Sequence, residues 1–293
     1  KRRFECTFSC DEKVLFYCPE QIYGNVPMDH IRGFAVNITR EAGDFLKGKI
    51  REEVRVDYKG EINIVTEADH MSEAMLLSRI RSRFPDHDIL TEESAGVRQG
   101  SACRWIIDPL DGTTNYSHGY PVFCVSVGFE KKGETVLGVV YNPMLDEMFV
   151  AEKGKGAFLN GRKIRVSKNR ELTKSLLATG FPYDIRENPD NNINYFNVLA
   201  LRAQAIRRAG AAALDLAYVA AGRFDGFWEL NLHPWDTAAG CLLVLEAGGC
   251  VTDLFGGEFS IRSPHVLATN GLIHETMADI LRSTDPMDAR LVK

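Results

Sequence analysis

The sequence predicts an α+β protein of layered helices and largely antiparallel strands. Segments with the hydrophobic periodicity of helices lie near both ends of the chain and flank a central region of short apolar segments. Two of these central segments meet at Lys132-Gly133, and Asn160-Gly161 is a turn sequence typical of β-hairpins. Helices packed in layers against antiparallel strands are the architecture that this order of elements favours.

In chain order, an amphipathic helix over 31–46 is the first predicted element. A short strand at 62–65 follows it. Thr66 and Asp69 then have the spacing of a capping box, which predicts the start of a second helix. This helix stops before Pro85, because proline and the residue before it disfavour helical backbone.

Strands dominate the middle of the chain, and helices and strands alternate in its last third. The strands predicted in the middle are 105–107, 122–129, 135–141, 158–159 and 164–166. The later strands are 224–230, one at 251 and 266–269, and the helices are 192–205, 210–221, 237–247 and one from 273.

Composition excludes several classes of protein. The chain has 293 residues, 45% of them apolar and 26% charged, and its net charge of −5 gives no electrostatic reason to expect nucleic acid or membrane partners. No signal peptide and no run of about 20 apolar residues is visible, so we expect a cytoplasmic protein. We interpret the seven cysteines as reduced thiols, since the last four lie in apolar surroundings. A metal site at Cys6, Cys10 and Cys18 is the alternative, although their spacing matches no zinc pattern.

The segment from Asp108 to Asn115 carries the strongest chemical signal. Asp108 and Asp111 follow directly on a buried strand, and Gly112 would let the backbone approach a ligand closely. Thr113 and Thr114 offer amides and hydroxyls where a helix could start, which is a site that favours phosphate. Acids beside phosphate donors indicate a cation, and their hard oxygen ligands suit Mg²⁺. The alternative interpretation is a strand end followed by a polar turn.

Acidic residues at three further places in the sequence are candidates for the same site. Glu92 and Glu93 follow a predicted strand end, and one of them is a candidate metal ligand, although paired acids are also common on surface loops. Asp236 precedes an apolar helix, as an N-cap or as a buried carboxylate that needs a cation. Asp69 is the acid of the capping box, and it could also orient a water or a threonine hydroxyl.

Together these motifs resemble the inositol monophosphatase family. The segments that carry the resemblance are Trp105 to Asn115, Thr91 to Ser94 and Trp235-Asp236, with softer matches at 63–69, 154–158, 210–213 and 246–249. The resemblance implies an α-β-α-β-α sandwich of the sugar phosphatase type with mixed sheets. It also implies a homodimer and inhibition by lithium. In domain terms it implies an N-terminal extension at 1–27, a catalytic domain at 28–285 and a tail at 286–293. The domain would consist of two coupled subdomains that meet near 145–185.

The resemblance also assigns roles to residues. Two or three Mg²⁺ ions would be held by Glu92, Asp108, the Leu110 carbonyl, Asp111 and Asp236. Glu92, Thr113 and Asp69 would be the catalytic residues that position the attacking water. The substrate would contact Asp111, Gly112, Thr113, Thr114, Gly210, Ala211, Ala212, Glu229 and Asp236.

The expected activity is Mg²⁺-dependent hydrolysis of a small phosphate monoester, with inositol 1-phosphate as the first candidate. Fructose-1,6-bisphosphatase is the alternative, with Lys168, Arg186 or Arg207 available for a second phosphate. A 3′-phosphoadenosine 5′-phosphate nucleotidase is disfavoured, because such relatives usually have lysine where this chain has Thr114. A non-catalytic regulatory protein would have no reason to retain all four candidate metal-binding acids.

Overall fold

The computed structural model describes residues 26–50, 56–58, 64–188 and 191–284. The helices are α1 (Met28–Lys49), α2 (Glu67–Arg83), α3 (Thr113–Ser117), α4 (Ile193–Ala200), α5 (Ala212–Ala220), α6 (Pro234–Glu246) and α7 (His274–Ser283). The strands are β1 (Val56–Tyr58), β2 (Ile64–Thr66), β3 (Asp88–Thr91), β4 (Cys103–Asp111), β5 (Cys124–Lys131), β6 (Glu134–Asn142), β7 (Glu147–Glu152), β8 (Gly156–Leu159), β9 (Arg162–Lys163), β10 (Leu176–Thr179), β11 (Ala205–Arg207), β12 (Gly226–Glu229), β13 (Cys250–Thr252) and β14 (Val266–Thr269).

The strands form two large sheets and one small one. The seven-stranded sheet has the order β3-β4-β5-β6-β7-β8-β9, and only the β3–β4 pair in it is parallel. The five-stranded sheet has the order β11-β10-β12-β14-β13, in which β10 is parallel to both neighbours. β1 and β2 pair antiparallel with each other. The prediction of mixed, largely antiparallel sheets is therefore confirmed.

Helices and sheets alternate in five layers. α1 and α2 cover one face of the seven-stranded sheet, where Leu76 and Trp105 belong to one buried cluster. α5 and α6 lie between the two sheets, where Leu243 shares a cluster with Phe149 of one sheet and Phe227 of the other. α4 and α7 cover the outer face of the five-stranded sheet. The predicted α-β-α-β-α sandwich is confirmed, and helices cover both faces of each of the two large sheets.

Local signals in the sequence set several element boundaries correctly. At the start of α2, the Thr66 amide donates to Asp69 Oδ2 (2.8 Å), which completes the predicted capping box. Asn160 and Gly161 have positive φ angles of 48° and 76°, as a two-residue hairpin turn requires, and they connect β8 to β9.

The helix predicted at 192–205 is wrong in its second half. α4 ends at Ala200, and 205–207 instead forms β11, where Leu177 of β10 lies opposite Ile206. The apolar residues of 192–205 continue a helical pattern. The open edge of the sheet beside β10, however, provides main-chain hydrogen-bond partners for 205–207 that the sequence pattern does not reveal. The strand at 105–107 is also longer than predicted, since β4 runs from Cys103 to Asp111.

The four cysteines of the described residues are free thiols, with Cys124 and Cys241 buried, as predicted for them. Cys6, Cys10 and Cys18 lie outside the described residues, as do most of the predicted extension and the tail. None of the described helices combines the length and apolar composition needed to cross a membrane.

A buried histidine lies in the aromatic core between α2 and the seven-stranded sheet. Trp105 Nε1 donates to His87 Nδ1 (3.1 Å), so this ring nitrogen is an unprotonated acceptor. The His87 ring also stacks on Phe84, with 4.8 Å between ring centroids. Burial lowers the pKa of His87, and the neighbouring charges of Asp86 and Asp88 oppose this effect only in part.

We expect His87 to make the fold less stable in acid. The unfolded histidine binds a proton near its usual pKa of 6.5, whereas the folded one resists protonation, so stability should fall as pH drops below that value. Thermal unfolding followed between pH 7 and pH 5 should show a smaller loss of stability in His87→Gln than in wild type. His118→Gln, which changes an exposed histidine, is the control. Parallel pH profiles for His87→Gln and wild type would contradict this role.

Candidate active site

A β-bulge in β4 brings its two acids to the same face of the sheet. Asp108 lies opposite Ser126 of β5 and Asp111 opposite Cys124, so β4 has one extra residue between these pairs. In a regular strand, residues three apart point to opposite faces. The bulge contains Pro109, which has no amide to lose from the ladder. Both carboxylates therefore face the layer of α5 and α6, to which Cys124 also contributes.

Asp108 is a buried carboxyl group surrounded by other acids. It accepts a hydrogen bond from the Leu110 amide (3.0 Å) within the bulge. Burial, followed by the charges of Glu92, Asp111 and Asp236, raises the pKa of Asp108 well above its usual value. These four acids are therefore close enough to interact electrostatically in a poorly solvated place.

Asp111 is bound to the N-terminus of α5. Its Oδ1 accepts a hydrogen bond from the Ala212 amide (3.1 Å), and its Oδ2 accepts one from the Ala213 amide (2.8 Å). The Cys124 thiol lies 3.4 Å from the same Oδ2. Burial raises the pKa of Asp111 to about 6 despite these donors. The first amides of a helix need such an acceptor, so Asp111 connects the end of β4 to the N-terminus of α5.

Glu92 and Asp236 approach this pair from two other elements. Glu92 follows directly on β3, which is parallel to β4, so the ends of both strands lie at the same edge of the sheet. Asp236 lies in the first turn of α6. Burial and the charge of Glu92 raise the pKa of Asp236 well above its usual value.

Asp236 is not the N-cap that the sequence suggested. α6 begins three residues earlier than predicted, at Pro234, and His233 takes the N-cap position. Asp236 Oδ2 accepts the His233 amide (2.7 Å) instead, from the third position of the helix. A proline at the first helical position explains the earlier start.

Asp69 and Thr113 form a buried pair beside the four acids. Thr113 Oγ1 lies 2.8 Å from Asp69 Oδ1 and 3.1 Å from the Leu110 carbonyl oxygen. Asp69 Oδ2 still accepts the Thr66 amide, so the capping function and the orientation of a threonine hydroxyl coexist, as predicted.

Two glycine turns meet next to this pair. Gly112 has φ 97°, and a side chain there would come within 3.0 Å of the Val122 carbonyl oxygen. Gly210 has φ 82° and faces the same turn. Asn115 holds both turns together, because its Nδ2 donates to the carbonyl oxygens of Val122 (2.7 Å) and Ala209 (2.8 Å). The sequence included Asn115 in the motif but indicated no role for it.

Glu229, at the end of β12, completes the group of acids. Burial and the charge of Asp111 raise the pKa of Glu229 to about 8, and the charge of Arg208 opposes them. The Ala212 amide donates its hydrogen bond to Asp111 Oδ1. The segment Gly210–Ala212, which was expected to contact the substrate, thus lies at the site. The Ala212 amide is not available to a substrate, because it donates to Asp111.

Sequence reasoning missed three other groups near these acids. Partial loss of solvent, followed by the charges of Glu92 and Asp111, raises the pKa of Tyr183, a residue that is still about half exposed. Asp215, an acid within the alanine-rich α5, is buried, and its Oδ1 has no hydrogen-bond partner among the described residues. Arg208 acts on the pKa values of both Asp215 and Glu229. An acid inside an apolar helix was a signal for Asp215, whereas no pattern indicated the other two.

The donor set fits a divalent metal ion. Within the described residues, no three His, Cys, Asp or Glu side chains already surround one point as metal ligands do. However, the carboxylates of Asp108, Asp111 and Asp236 lie within the electrostatic influence of one another, and Glu92 acts on two of them. A cation among them would relieve this repulsion, and carboxylate oxygens are the ligands that hard divalent ions prefer.

Comparison with known proteins agrees with this geometry. Residues 28–285 match the sequence profile of the inositol monophosphatase family. The chain belongs to this family. Its members are metal-dependent phosphoric monoester hydrolases that act on small phosphate substrates, and this chain is one of these phosphatases.

Several relatives are similar over most of their length. An inositol-1-monophosphatase of Synechocystis sp. is 46% identical over 241 residues, which are 82% of this chain and 83% of that protein. The Nus factor SuhB of Escherichia coli K12 is 42% identical over 259 residues, 87% of this chain and 97% of that one. The structure of an inositol monophosphatase from Anabaena has a TM-score of 0.82 and 45% identity, and the match covers 89% of this chain and 99% of that chain.

Removal of the Asn115 amide should destabilise the junction of the two glycine turns. Asn115→Ala would leave the carbonyl oxygens of Val122 and Ala209 without their donor, which should cost about 1–3 kcal/mol of unfolding free energy. Urea denaturation measures this loss. Ser117→Ala removes an exposed hydroxyl that bonds only within α3 and should change stability by less than about 0.5 kcal/mol. Equal stability of the two variants would contradict the structural role of Asn115.

Proposed function

We propose that this phosphatase uses Mg²⁺ to hydrolyse a small phosphate monoester, with inositol 1-phosphate as its substrate, by attack of an activated water. The observation that carries the proposal is the placement of four acids: Asp108 and Asp111 in the bulge of β4, Glu92 directly after the parallel strand β3, and Asp236 in the first turn of α6. The charges of the other three acids also raise the pKa of Asp108. A site of such concentrated negative charge attracts a phosphate ester only with the help of cations.

The proposed metal ligands are the predicted ones. Glu92, Asp108, Asp111, Asp236 and the Leu110 carbonyl oxygen would hold two or three Mg²⁺ ions. Bound Mg²⁺ supplies charge neutralisation for the phosphoryl group and makes water a better nucleophile. In support, the Leu110 carbonyl oxygen lies within the site, 3.1 Å from Thr113 Oγ1.

Thr113 and Asp69 are proposed to position the attacking water together with Glu92. The Thr113 hydroxyl donates a hydrogen bond to Asp69 Oδ1 across 2.8 Å, which fixes the direction of its proton. The lone pairs of Thr113 Oγ1 are then available to accept a hydrogen bond from the water. This fixed direction of the hydroxyl would orient the water toward phosphorus.

The phosphate and the polyol would bind on either side of Asp111. At the start of α3, the amides of residues 112–114 have no acceptor within the helix and are suited to phosphate oxygens. Asp111 accepts the amide of Ala212 in the Gly210–Ala212 turn, and its charge acts on the pKa of Glu229. Glu229 is the group proposed to accept hydrogen bonds from substrate hydroxyls.

The metal requirement gives the first test. Activity should disappear in excess chelator and return with Mg²⁺. Asp111→Asn should lower kcat/KM about 10³-fold or more, because it removes a ligand charge and turns an amide NH₂ toward the α5 amides. Asp279→Asn, which changes a surface acid paired with Arg282, should leave activity unchanged. Full turnover in chelator, or an Asp111→Asn enzyme within about tenfold of wild type, would contradict the mechanism.

The substrate gives the second test. Glu229→Gln should lower kcat/KM for inositol 1-phosphate about tenfold more than for an aryl phosphate, because only the polyol has hydroxyls that lose the carboxyl group as a hydrogen-bond partner. Steady-state kinetics with both substrates measures the difference. Equal losses on the two substrates would show that Glu229 does not recognise the polyol.

The alternatives make other demands on the same site. A fructose-1,6-bisphosphatase needs a cation for the second phosphate, and Arg208 is the cation that acts on Glu229, whereas Arg207 donates to the Ile206 carbonyl oxygen (3.2 Å). Several relatives are named Nus factor SuhB, which keeps a regulatory role as an alternative. The retention of all four acids favours catalysis. The homodimer, the cytoplasmic location and inhibition by lithium stay predictions.

A further inference from the structure

The carboxylate of Glu229 occupies the place where residue 180 would have a side chain. A Cβ atom built on Gly180 would lie 1.9 Å from Glu229 Oε1 and 2.2 Å from its Cδ. The φ angle of Gly180 is outside the left-handed region, so the backbone there does not require glycine. The contact with Glu229 is therefore the physical reason for a glycine at this position.

We propose that Gly180 determines substrate specificity by leaving room for the Glu229 carboxylate, so that this group can receive a hydroxyl of the substrate alcohol. The inference rests on the proposed role of Glu229 as the acceptor for the polyol. The ligand class that it selects is a phosphate ester of a polyhydroxy alcohol, as opposed to an ester whose leaving group has no free hydroxyl.

The register of the five-stranded sheet sets the two residues side by side. Thr179 of β10 lies opposite Trp228 of the parallel strand β12, so Gly180 and Glu229 are the next residues along paired strands. Thr179 Oγ1 also donates to the Trp228 carbonyl oxygen (2.6 Å). The main chain next to both residues is thus fixed by the sheet and by a buried hydroxyl.

A buried asparagine locks this arrangement. Asn192 Nδ2 donates to the Gly180 carbonyl oxygen (2.6 Å), and Asn192 Oδ1 accepts from Trp228 Nε1 (2.6 Å). Asn192 and Trp228 are both fully buried. Because these bonds tie the backbone of Gly180 to the strand that carries Glu229, a change at position 180 cannot be absorbed by a shift of the main chain.

The Glu229 carboxylate is free to serve a ligand. No described residue donates a hydrogen bond to it, and the side chain is only half-buried. The three heavy atoms nearest to a methyl group at position 180 would all belong to the flexible end of this side chain. The fold should tolerate the methyl group, and the carboxylate should move away from its place.

A double-mutant cycle tests the proposal. Gly180→Ala should lower the ratio of kcat/KM for inositol 1-phosphate to kcat/KM for p-nitrophenyl phosphate about tenfold, as Glu229→Ala should. In the Glu229→Ala background the carboxylate is absent, so Gly180→Ala should change this ratio no further. Thermal unfolding of each variant checks that the fold is retained.

Gly257→Ala is the matched control. A Cβ atom at Gly257 would lie 2.4 Å from the Asp253 carboxylate, a contact of the same kind in the turn after β13, and Asp253 does not act on the pKa values of the site acids. This variant should keep the wild-type substrate ratio. A similar fall of the ratio in Gly257→Ala would overturn the proposal, because the effect would then be general.

The remaining outcomes distinguish a failure of the proposed role of Glu229 from a failure of the proposed role of Gly180. If Glu229→Ala lowers activity equally on both substrates, Glu229 does not recognise the polyol, and the specificity role of Gly180 falls with it. If Glu229→Ala is selective but Gly180→Ala is not, only the role of Gly180 is overturned. Equal effects of Gly180→Ala with and without the Glu229 carboxylate would also overturn it, since they would show that the two residues act independently.

Discussion

The repulsion among buried carboxylates is the interaction on which the site depends. Loss of water raises the pKa values of Asp108, Asp111 and Asp236, and the negative charge of neighbouring acids raises those of Asp108 and Asp236 further. Such a cluster is unfavourable in itself, and part of the fold compensates for it with main-chain donors: α5 gives two amides to Asp111, the β4 bulge gives one to Asp108, and α6 gives one to Asp236. The charge that remains is what a divalent cation would neutralise.

The layered architecture explains why these donors meet at one place. α5 and α6 form the layer that both sheets share, and their first turns lie against the end of β4. One sheet supplies Asp108 and Asp111 through its bulge, and the other supplies Glu229 at the end of β12. The site is therefore built where two sheets end against the same pair of helices, and no single layer contains it.

The sequence predicted the elements whose signals are local. Capping residues, hairpin turns and apolar periodicity are read within a few positions, and the start of α2 and the turn at Asn160-Gly161 have the expected structure, although the strand predicted at 164–166 is instead Arg162–Lys163. β11 was missed because its strand conformation comes from pairing with β10, which lies almost 30 residues earlier in the chain. The misplaced start of α6 has a local cause, since Pro234 was available as a helix-start signal.

The sequence by itself determined the chemistry of this protein, because acids, glycine and threonines in a dense local order are meaningful without knowledge of distant contacts. The family and the phosphatase class followed from that order. Only the tertiary structure decided how Asn115 joins two turns, why Arg208 acts on Glu229, and why position 180 is glycine. Each of these depends on an interaction between residues 21 or more positions apart that sheet register and helix packing create, and no pattern within one segment encodes such an interaction.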